Sequence, residues 1–167
     1  MSLPASHGKK HREALMSIRI SMRVKSQCLH VLVQGRFTLV AAQRTFADVL
    51  DMAVQQRIVQ ILLDGSQLAG EPTTIDRFCY AKFAALATAL AKQRHGKFRP
   101  KFAYVLKTPV LDPGRFGETV AVNRGMYVKA FESLEAAREW LGLPATDAAA
   151  EPANRNDTTS TGLVDRP

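Results

Sequence analysis

Seven residues in two stretches have the types and spacing to hold a small anion. Asp64 and Ser66 stand with Thr73 and Thr74 in the first, and Gly114, Arg115 and Gly117 form the second. Glycines let backbone N–H groups approach a ligand closely, and the first turn of a helix leaves donors unpaired, which favours negative charge. An arginine adds a planar, two-pronged donor for carboxylate or phosphate. Gathered at one pole of a parallel sheet, these groups would bind an anionic ligand or an acidic partner loop. The same residues also have a plain structural use, in which glycines make turns, threonines cap helices and Asp64 caps the turn that follows it. The run from Gly114 to Thr119 has no Gly-Lys-Ser/Thr ending, so it is not a Walker-type phosphate loop.

A second group is cationic. Lys92, Arg94, Lys97, Arg99 and Lys101 fall within ten residues, with His95 and Phe98 between them. Charge interleaved with an aromatic ring is the pattern of a nucleic-acid surface that combines phosphate contacts with stacking. Lys9 to Arg12 would add a basic arm to it. The alternative is a solvated helix end whose cations offset the helix dipole.

Catalysis finds little footing, and no catalytic residue is expected. His30 lies in an apolar strand and reads as a satisfied histidine. No histidine has a carboxylate at dyad spacing, and Ser66 lacks a Gly-x-Ser-x-Gly setting. His7, His11, His30 and His95 with two distant cysteines make no metal pattern, so neither metal nor cofactor is expected. Cys28 and Cys79 sit in apolar segments and read as buried free thiols.

The elements that must position these groups surround one aliphatic run, residues 58–64, read as a strand buried on both faces and ending in a Gly65-Ser66 turn. Before it, residues 16–25 alternate as an edge strand with cations on one face, and residues 28–33 pair with it through a Ser26-Gln27 turn. Thr38 caps a helix over 39–55. Thr73 and Asp76 have capping-box spacing for a second helix, with Ile75, Phe78, Cys79, Phe83, Leu86, Leu90 and the stem of Lys82 as its buried stripe. That helix stops at Gly96. A strand over 102–107, a short helix over 116–123, a strand over 126–131 and a helix capped by Ser133 complete the chain. The last helix turns Leu134, Ala137, Trp140 and Leu141 inward. The order ββαβαβαβα predicts an α/β fold with a mostly parallel sheet of four or five strands covered by helices.

At 167 residues the chain accommodates one domain, expected over 15–143, with a disordered basic arm over 1–14 and a disordered tail over 144–167. A net charge of +8 and a pI near 9.9 permit a polyanionic partner without naming one. No apolar run approaches the ~20 residues of a membrane span, and no secretory signal is evident, so a cytoplasmic protein is expected.

Several stretches resemble the STAS/SEC14-like (SpoIIAA-like) family of small bacterial domains. They are Leu63-Asp64-Gly65-Ser66, Arg115-Phe116-Gly117, Asn123-Arg124-Gly125 and the ending Val128 to Leu141 with its Ala-x-x-Trp-Leu close. The resemblance implies a STAS-type fold and a regulatory, signalling or ligand-binding role. Antagonists of that type carry Asp-Ser-(Ser/Thr)-Gly at the start of the second helix. Here that loop reads Gly70-Glu71-Pro72-Thr73-Thr74, so a phospho-switch is not implied. The SEC14-like side of the family implies an apolar ligand cavity. Sequence thus favours a non-enzymatic module that binds an anionic or apolar ligand, or a protein partner, at the strand-end pole. The basic 92–101 surface is the alternative.

Overall fold

In the computed structural model, residues 18–144 are described. The expected basic arm and all but the first residue of the expected tail lie outside them. The elements run β1 (Arg19–Lys25), β2 (Cys28–Arg36), α1 (Leu39–Gln55), β3 (Gln60–Ala69), α2 (Thr74–Arg94), β4 (Lys101–Val105), α3 (Phe116–Val122), β5 (Tyr127–Phe131) and α4 (Leu134–Leu141). This is the predicted order ββαβαβαβα, the order the STAS-type resemblance implies.

The five strands form one sheet in sequence order, with β1 and β2 antiparallel and every later pair parallel. Ser26 and Gln27 both take positive φ, as a two-residue hairpin with right-handed strand twist requires. β3 is the central strand, and Ile61, Leu62 and Leu63 are all buried. Burial on both faces is what an unbroken aliphatic run demands.

Side-chain alternation divides the core into two layers. Leu29, Val31, Ile61, Leu63 and Phe102 pack with Phe46 and Val49 of α1 and with the small residues of α2 and α3. On the other face, Cys28, Leu62, Ala103 and Val105 meet Ala137 and Leu141 of α4. Three helices therefore cover one face, while α4 covers the other, where it packs on β3, β4 and β5.

Three expectations need correction. First, the Gly65-Ser66 turn does not exist, because β3 continues to Ala69 and β2 to Arg36. Leu32 pairs with Asp64 and Gln34 with Gln67, so β3 carries one extra residue, a bulge around Gly65 and Ser66. A glycine and a small polar residue within an apolar run read as a turn, but they suit a bulge equally well. A Cβ at Gly65 would lie 2.8 Å from Leu106 Cδ2, so the end of that side chain would have to move aside.

Second, the face that α2 buries is not the predicted stripe. Ala81, Ala84, Ala85 and Thr88 are buried; of the predicted stripe Phe83 packs against the core and Cys79 is half-buried, whereas Ile75, Phe78, Lys82, Leu86 and Leu90 are exposed. The helix lies against the sheet between α1 and α3, and close approach on both sides favours small side chains. Third, Leu134 is exposed and only Ala137 and Leu141 of α4 are fully buried, with Trp140 half-buried.

Candidate functional site

The bulge in β3 has a consequence for the strand-end pole. Residues 61, 63 and 65 point toward α1 and α2, and unbroken alternation would send Leu68 to the α4 face. One inserted residue reverses the alternation. Leu68 instead packs with the α1/α2 layer and lines a pocket of about 160 Å³.

That pocket lies between α2, α3 and the C-terminal half of the sheet. Ala81 and Ala84 of α2, Tyr104 of β4, Ala121 of α3 and Val128 of β5 form much of its wall. Val110 and Leu111, from the segment between β4 and α3, are buried and complete the apolar lining. The alanines on α2 leave this space, because a helix packed through methyl groups cannot fill the volume beside a tyrosine.

The polar groups are few and sit mainly at one end. Arg77, in the first turns of α2, donates from Nη1 to the Pro72 carbonyl and from Nη2 to the Pro109 carbonyl at 2.7 Å. Its Nε is buried and has no partner. Arg115 donates to the Ala130 carbonyl and lies 3.8 Å from the Glu118 carboxylate. Glu118 also accepts from the Ala130 N–H at 2.8 Å, and Asp112 accepts from the Phe116 N–H at 2.8 Å. Both carboxylates at the pocket therefore have donors, and the unmatched group is the Arg77 Nε–H.

Across the pocket wall, the Tyr80 and Tyr104 hydroxyls are 2.9 Å apart. Burial raises the Tyr80 phenol to about 12 and lifts Tyr104 well above its ordinary value, so both stay protonated near neutral pH.

Of the seven residues singled out by sequence, the pocket gathers Arg115 and Gly117. Arg115 holds a left-handed backbone at φ 55°, and Gly117 lies against Arg77. Thr73 is committed to α2: its hydroxyl accepts from Asp76 N–H, and the Asp76 carboxylate accepts in return from the Thr73 N–H and hydroxyl. Those hydrogen bonds, backbone first, hold the Asp76 carboxyl below its usual value. Thr74 opens the helix and is exposed, and Gly114 lies beside Asp112 outside the lining. Asp64 precedes the bulge on the α4 side of the sheet, where its carboxylate accepts from the Ser66 N–H at 3.0 Å. Neither residue reaches the pocket.

Sequence reasoning missed Arg77, Tyr80 and Tyr104. Arg77 carried a signal, as a cation in the first turn of a helix, where the dipole disfavours it. The tyrosines carried none, because an aromatic residue at a core position is ordinary.

The cationic group is dispersed by its own contacts. Lys92 donates to the Gly125 carbonyl at 3.0 Å, and Arg99 donates to the Gly96 and Phe98 carbonyls. Lys101 donates to the Trp140 carbonyl and lies 4.1 Å from the centre of the Trp140 ring. Arg94 and Lys97 are exposed, but Phe98, the ring expected to stack, is buried. Cys28 and Cys79 are free thiols, and burial pushes Cys28 up to about 11. Among the described residues there is no metal-ligating cluster, and no helix is long and apolar enough to cross a membrane.

No protein-family model matches the chain, and no curated protein matches it. Among solved structures, an anti-sigma factor antagonist from Mycobacterium paratuberculosis superposes with a TM-score of 0.49 at 14% identity, over 75% of this chain and 95% of that one. An uncharacterised protein with a SpoIIAA-like fold from Shewanella loihica gives a TM-score of 0.43 at 19% identity, over 84% of this chain and 98% of that one. This chain is similar to both.

Proposed function

We propose that this domain is a non-enzymatic binding module whose pocket takes a small ligand with a ring-sized apolar body and an anionic head. The observation that carries the reading is the buried, unpartnered Nε–H of Arg77 beside a mostly apolar pocket whose two carboxylates already have donors. A buried donor without a partner costs about 1–3 kcal/mol, and a carboxylate or phosphate oxygen would remove that cost. Size sets the body. An apolar cavity of about 150 Å³ holds one benzene molecule, so a space of about 160 Å³ suits one ring or a short branched chain and excludes a long acyl chain.

A bound ligand would touch α2, α3, β4 and β5 together. An acidic or other protein partner that reads the Arg115–Gly117 rim would then sense whether the pocket is filled, which is the regulatory side of the proposal. Cys28, a buried free thiol, suits a reducing compartment such as the cytoplasm. The alternative, a nucleic-acid surface along residues 92–101, retains Arg94 and Lys97 as exposed cations but lacks its stacking ring.

Benzoate, with a carboxylate on a single ring, is the natural probe. Nine non-hydrogen atoms at about 0.3 kcal/mol each give a Kd on the order of 10 mM, and any higher efficiency makes it tighter. Calorimetric titration is expected to show saturable binding, and Arg77→Met is expected to weaken it at least about tenfold, the worth of one charge-assisted hydrogen bond. No saturable binding to the wild-type protein, or equal binding to Arg77→Met, contradicts the proposal.

A further inference from the structure

The two edges of the sheet are finished differently. β5 is one edge, and side chains at the start of α3 take both backbone groups of Ala130 there. The Ala130 carbonyl accepts from Arg115, and its N–H donates to Glu118 at 2.8 Å. β1 is the other edge, and among the described residues β2 is its only strand partner. Ser26 and Gln27 make a two-residue hairpin closed by Lys25 and Cys28, which is therefore a hydrogen-bonded pair. Bonded pairs alternate along an antiparallel ladder, so Arg19, Ser21, Arg23 and Lys25 bond to β2. Ile20, Met22 and Val24 turn their N–H and C=O groups to the open side.

The side chains beside that open edge are sorted by face. Arg19, Arg23 and Lys25 stand exposed on the α4 side, in register with Gln34, His30 and Cys28. Ile20, Met22 and Val24 lie on the α1 side, and Val24 is 53% exposed. The one ion pair among the described residues joins Arg115 to Glu118, so none of the three β1 cations has an acidic partner there. The charges of Arg138 and Lys25 also disfavour a proton on His30 beside them, as a positive field does.

We propose that β1 accepts a further strand from a protein partner, an extended segment in which acidic and apolar residues alternate. Its backbone bonds to Ile20, Met22 and Val24, its carboxylates face Arg23 and Lys25, and its apolar side chains cover Met22 and Val24. Charge decides the partner. Two copies joined edge to edge about Met22 would set Arg19 opposite Lys25 twice and gather the cations of both copies on one face. The cations that repel a second copy attract an acidic strand, so one feature supplies both the selection and the attraction. No β1 residue lines the pocket, so the inference does not rest on the pocket's ligand.

Hydrogen-exchange NMR of the full chain tests this. The probe is an acetylated, amidated peptide of four Glu-Val repeats, and its control is a block peptide of the same composition with all glutamates first. The Ile20, Met22 and Val24 amides are expected to exchange as exposed amides in the free protein and to gain protection as the repeat peptide saturates. The block peptide should protect none of them. Arg23→Glu, a surface charge reversal, should weaken binding several-fold. Val24→Pro removes an edge donor while keeping the bonds of β1 to β2, and should abolish binding with the rest of the spectrum folded. Amides already protected in the free chain would mean that its own residues or a second copy cover the edge. That result, no protection by the repeat peptide, equal protection by the block peptide, or undiminished binding in either variant overturns the inference.

Discussion

The Tyr80 hydroxyl lies 2.9 Å from the Tyr104 hydroxyl, joining α2 to the central part of the sheet at the pocket wall. Phe46 of α1 meets the Tyr80 ring edge-on, with centroids 6.2 Å apart, so the pair is fixed on its core side. Two phenols that must both remain protonated make this contact sensitive to alkali.

Burial is the main cause of both shifts, reaching about 12 for Tyr80 against an ordinary value of 10.0. The folded phenols hold their protons to higher pH than the unfolded ones. Their contribution is therefore complete below pH 10 and lost as pH rises from there toward about 12. Denaturant titrations at increasing pH should show stability falling across that window. Tyr80→Phe should make the fall shallower; an unchanged slope would show that Tyr80 is not responsible.

Thr88 offers a stabilising change. It is 1% exposed, and its hydroxyl has no hydrogen-bond partner. Thr88→Val keeps the shape and removes the buried polar atom, so it should raise stability by about 1 kcal/mol or more. A urea midpoint that moves upward with an unchanged m-value is the expected result.

His30 faces the α4 side of β2, paired in register with Arg23. Burial chiefly, then the charges of Arg138 and Lys25, lowers its pKa from 6.5, against a smaller opposing effect of the Lys25 backbone hydrogen bond. Here the neutral form is favoured in the fold. The contribution is complete above pH 6.5 and is lost as pH falls below it. An NMR titration should place the His30 midpoint below 6.5, and Arg138→Gln should move it upward.

The central place of β3 was legible because its first half, Ile61 to Leu63, is aliphatic on both faces and cannot lie at an exposed edge. The caps were legible too: Thr38, Thr73 and Ser133 each accept a hydrogen bond from the backbone three residues on. What α2 buries was not. Its sequence offers one stripe of large apolar residues and another of alanines with Thr88, and periodicity cannot choose between two apolar stripes. Packing between two neighbouring helices chose the small one, opening the pocket and exposing the large one together. The pocket was half legible for the same kind of reason. Arg115 and Gly117 announced themselves through turn chemistry, whereas Leu68 reaches the site only because a bulge reverses the alternation of β3.

The methyl groups of Ala81, Ala84 and Ala121 offer the most direct view of the pocket, since all three line it. In a methyl-detected NMR titration with benzoate, their resonances and the Arg77 Nε–H should shift together and saturate. Ala84→Leu, which fills the space, should remove the response while the remaining spectrum stays folded. Shifts confined to exposed cations such as Arg94 and Lys97, or a response that persists in Ala84→Leu, would contradict the account.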